Sequence, residues 1–485
     1  MLSEYDTRKG KLKKIKELNV NPYPSQVKRT KTCEQAISDF ASLAKKKTSL
    51  SLAGRLRSLR GHGGSCFSNL EDGTARFQLY FKKDEVGNKQ YRFLKDYIDV
   101  GDFIEVKGSL FTTKKGEKTL LVKSFKLLTK ALLPLPEKWH GLSDIEARYR
   151  KRYLDLLANP EVREIFEKRS LIVKTIRDFF DQKEFLAVET PILQPIPGGA
   201  NAKPFVTHHQ ALDTDFYLRI APELYLKRLI IGGFEKVYEM ARCFRNEGID
   251  RYHNPEFSQV ELYWAYADYN DMMKLIEELF SYLLKKTEKK NSLTYEEKEI
   301  KFKLPFARLT FTKAIKKFVD LDIDKLKDRD ALAKAAEKKG VKVEKSFGRA
   351  KILDELYKKH VRPKIIQPTF IIDYPVELMP LAKRMKDNPD LTESCQLIAG
   401  GLELTKAFSE LNDPVDQKER FQAQENLRKK GDDEAQRIDQ DFIEALEYGL
   451  PPCVGLGLGI DRLVALLTDS HHIKEVILFP TLKPR

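Results

Sequence analysis

The chain has no CxxC pair, no GxxxxGK[ST] phosphate loop, no internal repeat and no low-complexity tail. Its five cysteines (33, 66, 243, 395 and 453) lie far apart. That excludes a cysteine zinc site and a disulfide framework, and it suits a reduced, cytoplasmic protein. No stretch approaches the roughly 18 apolar residues that a membrane span needs. The start, "MLSEYDTRKG", has no apolar signal-peptide core. The expectation is therefore a cytoplasmic chain with no membrane partner. The pairs His208–His209 and His471–His472 have no partner at ligand spacing, which argues against a histidine metal site.

Acidic residues are scarce at one end only. Residues 1–140 hold 29 Lys+Arg against 15 Asp+Glu, whereas the remaining 345 hold 58 against 57, within a net charge of +15. Such asymmetry points to a polyanion as partner of the N-terminal part, or to a lysine-rich surface that keeps it soluble.

What is present there is a set of short alternating segments after a basic helical stretch broken by "NPYP" (21–24). "SLAGRLRSLR" (51–60), "SCFSNL" (65–70), "ARFQLYF" (75–81), "DFIEVKGSLF" (102–111) and "KTLLVKSFKLL" (118–128) read as strands, with one helix near 91–98. Five strands of this kind predict a small barrel, an OB-fold. Phe77, Leu79 and Phe81 share one face of their strand, and Gln78 shares the other with Arg76 and Tyr80. Parity sets Phe67 opposite Cys66 and Leu70, so it is either core or an outward platform beside Gln78 and Arg60. An outward aromatic among basic and amide groups is what single-stranded RNA needs.

"LTKALLPLPEKWHG" (128–141) reads as a connection, dividing the chain into 1–140 and 141–485. Amphipathic helix follows over 148–183, interrupted at Asn159-Pro160. Then come a strand entering Pro191, a loop "PIPGGANAKPF" (195–205), a helix over 222–231, and a Lys-rich helical insertion over 326–362.

The chemistry concentrates in two places. "KVYEMARCFR" (236–245) and "FSQVELYW" (257–264) alternate, and as an antiparallel hairpin they bring Glu239, Cys243 and Arg245 to the same face as Phe257, Gln259, Glu261 and Tyr263. A lone buried Arg245–Glu261 pair would not call for a loop that also carries Glu247, Arg251 and His253. In "GLGLGIDRLVALLT" (455–468), Gly455, Gly457 and Gly459 leave one strand face bare, so that a flat ligand can lie against the backbone. Arg462 follows in the first turn of a helix, and no GxGxxG is formed because position 460 is isoleucine.

These segments, together with "FLAVETPIL" (185–193), resemble in order and spacing motifs 1, 2 and 3 of the class II aminoacyl-tRNA synthetases. The preceding OB-fold is similar to that of the aspartate, asparagine and lysine subgroup. "LRIAPELYLKRL", "FRNEGID", "HNPEF", "ELYWAYADY", "FSELNDP" and "GLGIDRL" resemble the lysine-specific family. The HIGH and KMSKS signatures of the other class are absent. The implied fold class is α+β, an OB-fold barrel followed by a catalytic domain on an antiparallel sheet flanked by helices.

Charge argues separately for lysine as substrate, since Glu261 beside Tyr263 and Glu410 beside Phe408 suit an apolar stem ending in an ammonium. The resemblance implies that Glu223 binds the α-ammonium and Gly199 lines the pocket. Arg245 would hold the carboxylate and the α-phosphate of ATP. Phe257 would stack on adenine opposite Arg462, with Glu247, His253 and Gly459 also at ATP and Glu403 on Mg²⁺. Arg245, Glu403 and Arg462 would thus form the catalytic set, and Arg60, Phe67, Gln78 and Glu117 would meet the anticodon of tRNA(Lys). The motif around Pro191 would lie in a homodimer interface. Two positions depart from the pattern. Gln396 replaces a second Mg²⁺-binding glutamate of many relatives, and Lys406 replaces an asparagine, where it would either oppose the substrate ammonium or pair with Glu410. The competing readings are an aspartate-type or asparagine-type synthetase and an RNA-binding relative without catalysis.

Overall fold

The computed structural model describes residues 3–136, 142–288, 290–429 and 437–484. The chain separates into two compact units, Met1–Gly141 and Leu142–Arg485. Together they give a mixed α+β protein.

In the first unit, period-two alternation builds a closed barrel. Strands β1 (Leu50–His62), β2 (Ser65–Glu71), β3 (Arg76–Lys82), β4 (Phe103–Thr112) and β5 (Lys118–Thr129) close in the order β1-β2-β3-β5-β4. Phe77, Leu79 and Phe81 are buried, each worth roughly 1.5–3 kcal/mol on leaving water. Because a one-residue slip would turn all three outward, they also fix the register. Three short helices, Glu4–Glu17, Cys33–Ser38 and Phe40–Lys45, precede the barrel, and Ile15, Cys33 and Ala36 are wholly buried against its core. The basic N-terminal stretch therefore packs through a minority of apolar residues.

The connection expected over 128–141 begins only after Thr129. β5 runs to Thr129, and the ammonium of Lys130 is buried between the carboxylates of Asp99 (2.5 Å) and Asp102 (2.8 Å). Asp102 also accepts backbone N–H bonds from Asp99 and Ala131. Residues 137–141 of that segment lie outside the described residues.

The second unit is built on an eight-stranded sheet. Its strands are β6 (Leu186–Ala187), β7 (Lys236–Phe244), β8 (Glu256–Ala265), β9 (Ala307–Thr310), β10 (Thr369–Ile372), β11 (Ser394–Ala399), β12 (Leu402–Ser409) and β13 (Cys453–Gly459). They lie in the order β9-β10-β11-β12-β13-β8-β7-β6, antiparallel through the centre with a parallel pair at each edge. One face is sealed by the helices Pro160–Gln182, Tyr269–Thr287 and Ile460–Leu467, which pack on Val260, Leu262, Leu404, Leu456 and Leu458. The opposite face is apolar only in part: β8 and β12 set Gln259, Glu261, Tyr263 and Lys406 on it, and β13 sets glycines.

One expectation needs correction, and another gains detail. The strand entering Pro191 is only the two residues of β6. Thr190 instead donates to Glu239 Oε2 through its hydroxyl (2.7 Å) and backbone N–H (3.2 Å), while Arg219 grips Glu239 Oε1 at 2.5 Å. The side chain of Glu239 thus anchors this loop and leaves the open face of the hairpin. The stretch 326–362 is helical at Arg329–Lys338 and Arg349–Leu356 and passes through a π-helical turn, Tyr357–Val361. Its apolar positions join the second core, where Leu332, Ala336, Ile352, Leu353 and Leu356 are wholly buried with Phe311 and Ile398.

The Lys130 cluster gives a stability test. Lys130→Met removes the cation from two carboxylates, one of them fully buried, and should cost about 3–5 kcal/mol in urea denaturation. A loss under about 1 kcal/mol would show that the carboxylates are satisfied without it.

Candidate active site

The hairpin β7–β8 pairs Glu239 with Glu261, Ala241 with Gln259, and Cys243 with Phe257. Strand β13 then sets Gly459, Gly457 and Gly455 beside Gln259, Glu261 and Tyr263, and β12 sets Lys406 and Phe408 on the far side of Gly457 and Gly455. A trough with a glycine floor results, but the three glycines do different work. A Cβ on Gly455 would sit 2.2 Å from Glu410 Oε1 and 2.6 Å from the Tyr263 ring. That glycine lets two side chains close over the strand. A Cβ on Gly459 would meet nothing within 4 Å, and one on Gly457 only the Lys406 carbonyl oxygen at 3.8 Å. Here alone the floor is open, as a flat ligand requires.

At the closed end lies an unusual set of charges. Glu223 opens the helix Glu223–Ile231, and Lys227, one turn on, is buried with it. The ammonium of Lys227 stands 2.7 Å from Glu223 and 2.5 Å from Glu410 Oε2, over the ring of Phe408 at 5.7 Å. Sequence reasoning missed Lys227, although its i,i+4 spacing from Glu223 was a visible signal. It also corrects the expected partner of Glu410. Lys406 makes no ion pair among the described residues, and its charge is felt by Glu403 instead. The reason is register: Lys406 lies opposite Gln396 and beside Gly457, one strand pair further along the trough from Glu410.

Glu261 accepts from Gln259 Nε2 at 2.7 Å and has the Tyr263 hydroxyl at 3.4 Å. Burial, and then the charge of Glu223, push its carboxyl well above the usual carboxylate range. Burial likewise lifts Glu410 to about 8 against the pull of Lys227, which keeps its own proton because two carboxylates surround it. Gly199 sits at φ +86°, where a Cβ would lie 2.8 Å from Glu223 Cβ, so only glycine allows the 195–205 loop to close on that carboxylate.

The open end is cationic. Arg245 lies over the Phe257 ring, 5.0 Å from its centroid, and its buried Nε finds no hydrogen-bond partner among the described residues. Arg462 donates to the Glu403 carbonyl (3.4 Å) and to His253 Nε2 (3.0 Å). An arginine cannot accept, so Nε2 must carry the lone pair, and the His253 proton sits on Nδ1 facing Asp250 at 2.8 Å. Burial and the Arg462 charge hold the pKa of His253 down, which keeps it neutral. Glu247 is exposed on the loop between the strands, where its backbone N–H donates to the Arg245 carbonyl at 2.9 Å.

Burial would raise the Glu403 carboxyl, but Arg462, Arg362, Lys406 and Lys358 more than offset it. Arg362, delivered by the end of the π-helical turn and 4.0 Å from Glu403, is a second site residue absent from the sequence reading. Gln396 is committed, since its amide oxygen accepts from the Tyr374 hydroxyl at 2.8 Å. Among the described residues no three His, Cys, Asp or Glu side chains cluster to hold a metal. These groups do not form a protein-only metal cage. They fit a Mg²⁺ that arrives on phosphate oxygens and takes one carboxylate from the chain.

On the barrel, Phe67 is 39% exposed, which settles its parity as outward. Its ring stacks on Tyr80 (4.5 Å, 28°), and Tyr80 meets Phe111 at 6.0 Å, so the platform has three rings where one was expected. Arg60 pairs across the strands with Phe67. Gln78 accepts from Thr119, and Glu117 lies exposed two residues before it.

A five-stranded OB-fold barrel and an antiparallel sheet with this arginine–aromatic hairpin and glycine strand define a class II aminoacyl-tRNA synthetase. The family described as "tRNA synthetases class II (D, K and N)" matches residues 144–483, and "OB-fold nucleic acid binding domain" matches residues 50–128. The chain belongs to this synthetase family. It is 52% identical to the lysine–tRNA ligase of Carboxydothermus hydrogenoformans, over 99% of this chain and 97% of that protein. It is 50% identical to that of Pelotomaculum thermopropionicum (99% and 94%) and 47% identical to that of Wolinella succinogenes (97% and 94%).

The raised Glu261 carboxyl predicts a proton-linked pocket. An ammonium bound beside it would pull its pKa down, so binding of free lysine should release protons and strengthen as pH rises through the range in which Glu261 ionises. Calorimetry in buffers of different ionisation heat measures this, and Glu261→Gln should lose part of the release. Proton uptake in the wild type would contradict the assignment.

Proposed function

We infer that the chain is a lysine–tRNA ligase, which activates L-lysine with ATP and transfers it to the 3′ end of tRNA(Lys). The observation that carries the choice of amino acid is the charge count of the closed pocket. Three buried carboxylates, Glu223, Glu261 and Glu410, face a single buried ammonium, that of Lys227. With all three ionised, two negative charges are left over to match the two ammonium groups of lysine. Because burial raises Glu261 and Glu410, this state forms as the bound ammonium groups draw the protons off. The lysine carboxylate then lies toward Arg245. An aspartate-type pocket needs a cation free to take the side-chain carboxylate, and Lys227 is already held by two.

The lysine carboxylate attacks the α-phosphorus of ATP in line, forming a C–O–P bond as the bond to pyrophosphate breaks. The nucleophile is ionised at pH 7, so the step calls for no general base, only placement and neutralised phosphate oxygens. Arg245, with its unpartnered Nε beside the Phe257 ring, is placed to do both. Phe257 and Arg462 bracket the open strip of Gly457 and Gly459 as the adenine and phosphate walls. Neutral His253 steadies Arg462. Glu403 would hold a Mg²⁺ brought by ATP, which would supply further positive charge at the phosphates. In the second step a hydroxyl of the terminal ribose attacks the activated carbonyl and AMP leaves.

The same reading places the anticodon on Phe67, Tyr80 and Phe111 with Arg60, Gln78 and Glu117 at their edge. It takes the chain to be a homodimer, because Leu186, Ile192, Leu193, Val206 and Leu212, around Pro191, are all exposed apolar side chains. The enzyme belongs in the cytoplasm, where ATP and tRNA meet and where its five cysteines would stay as thiols. Among the described residues no helix is long and apolar enough to cross a membrane.

ATP–pyrophosphate exchange tests the chemistry. It is expected with lysine and not with aspartate or asparagine, and Arg245→Ala should abolish it while leaving tRNA binding intact. Exchange driven by aspartate, or an unaffected R245A, would overturn the assignment. Phe67→Ala should weaken tRNA(Lys) binding by roughly tenfold, as loss of one base stack does, with exchange unchanged. Equal tRNA affinity would remove the platform from the anticodon site.

A further inference from the structure

We propose that Arg362 and Lys406 are ATP-phosphate ligands that let this enzyme bind ATP largely without a metal. The proposal rests on the ligase reading and adds the means by which the triphosphate is neutralised. Four cations, Arg245, Arg362, Lys406 and Arg462, converge on the open half of the trough around the half-buried Glu403. The Arg362 guanidinium stands 4.0 Å from Glu403 Oε2, too far for a tight pair, and its side chain is 17% exposed. Lys406 flanks Gly457, above which the floor is open, and makes no ion pair among the described residues. Arg245 keeps an unpartnered buried Nε. Lys358, on the same π-helical turn, is excluded from the set because Asp354 already binds it at 2.6 Å.

Against Glu403, and Asp250 behind His253, these four leave a surplus of two positive charges, and clustering such charges in a half-buried trough is costly unless an anion occupies it. A triphosphate, with about four negative charges near neutral pH, is such an anion. The mutual repulsion is visible in Arg462, whose pKa is lowered by burial and by the charges of Arg362 and Arg245. On the opposite strand from Lys406 stands Gln396, uncharged and tied to Tyr374. At that cross-strand pair the chain presents a cation and a committed amide, with no site for a metal. Lys406 therefore faces phosphate rather than the amino-acid pocket, which also accounts for how a lysine here coexists with a lysine substrate.

The test is equilibrium binding of α,β-methylene ATP to the full chain by calorimetry, once in EDTA and once with Mg²⁺. Wild type should bind in EDTA within about tenfold of its affinity with Mg²⁺. Arg362→Gln and Lys406→Gln should each lose about tenfold in EDTA and less with Mg²⁺, while lysine binding stays unchanged. Lys406→Arg, which keeps the charge, should retain metal-free binding. No wild-type binding in EDTA, or variants that bind there as wild type does, would overturn the proposal and leave the ligase reading standing. Absence of binding with Mg²⁺ as well would overturn both.

Discussion

The pocket depends on one contact, the Lys227 ammonium held between Glu223 and Glu410. A carboxylate taken from water without a partner costs several kcal/mol, and here three are buried together, from β8, the first turn of the helix Glu223–Ile231 and just past the end of β12. Lys227 makes that arrangement tenable without neutralising it. Since the single internal cation serves two acids, the third, Glu261, is left with a hydrogen-bonding amide and hydroxyl. The vacancy in charge is therefore built by the fold and filled by the substrate. Gly455 and Gly199 serve the same contact sterically, because each lets a neighbour close on Glu410 or Glu223 where a methyl group would intrude.

Along the same strands the sign of the field reverses. The closed end of the trough is anionic and the open end cationic, and glycines form the floor of both. This polarity orients a molecule that carries ammonium groups at one end and a carboxylate at the other, presenting the carboxylate to phosphate. Orientation of this kind, rather than acid–base chemistry, is what attack by an already ionised nucleophile requires. It also explains why the trough holds arginines, carboxylates and one neutral histidine, and no activated serine or cysteine.

Much of this was legible in the residues. Strict alternation exposed the barrel strands and both arms of the hairpin, because period two survives any tertiary context in which one face is buried. The spacing of Gly455, Gly457 and Gly459 announced a bare strand face, and the excess of Lys and Arg in residues 1–140 marked the basic barrel. The two residues of β6 were harder to see, since Thr190 is held by side-chain bonds to Glu239 that no local pattern encodes. The Lys-rich helices near 330–356 were legible as helices, but which of their apolar positions join the core was not, since lysines outnumber them in the local pattern.

The sequence by itself determined the class of fold, the order of the motifs and the chemical types gathered at the site, for these follow from periodicity and composition within short windows. Only the tertiary structure decided which charges meet. Lys227, and not Lys406, reaches Glu410. Arg362 arrives beside Glu403 from a different segment of chain, and Gly455 is closed while Gly457 and Gly459 stay open. Ion pairing depends on separations of a few ångströms between groups far apart in the chain, and strand register and packing set those separations, whereas local pattern carries no information about them.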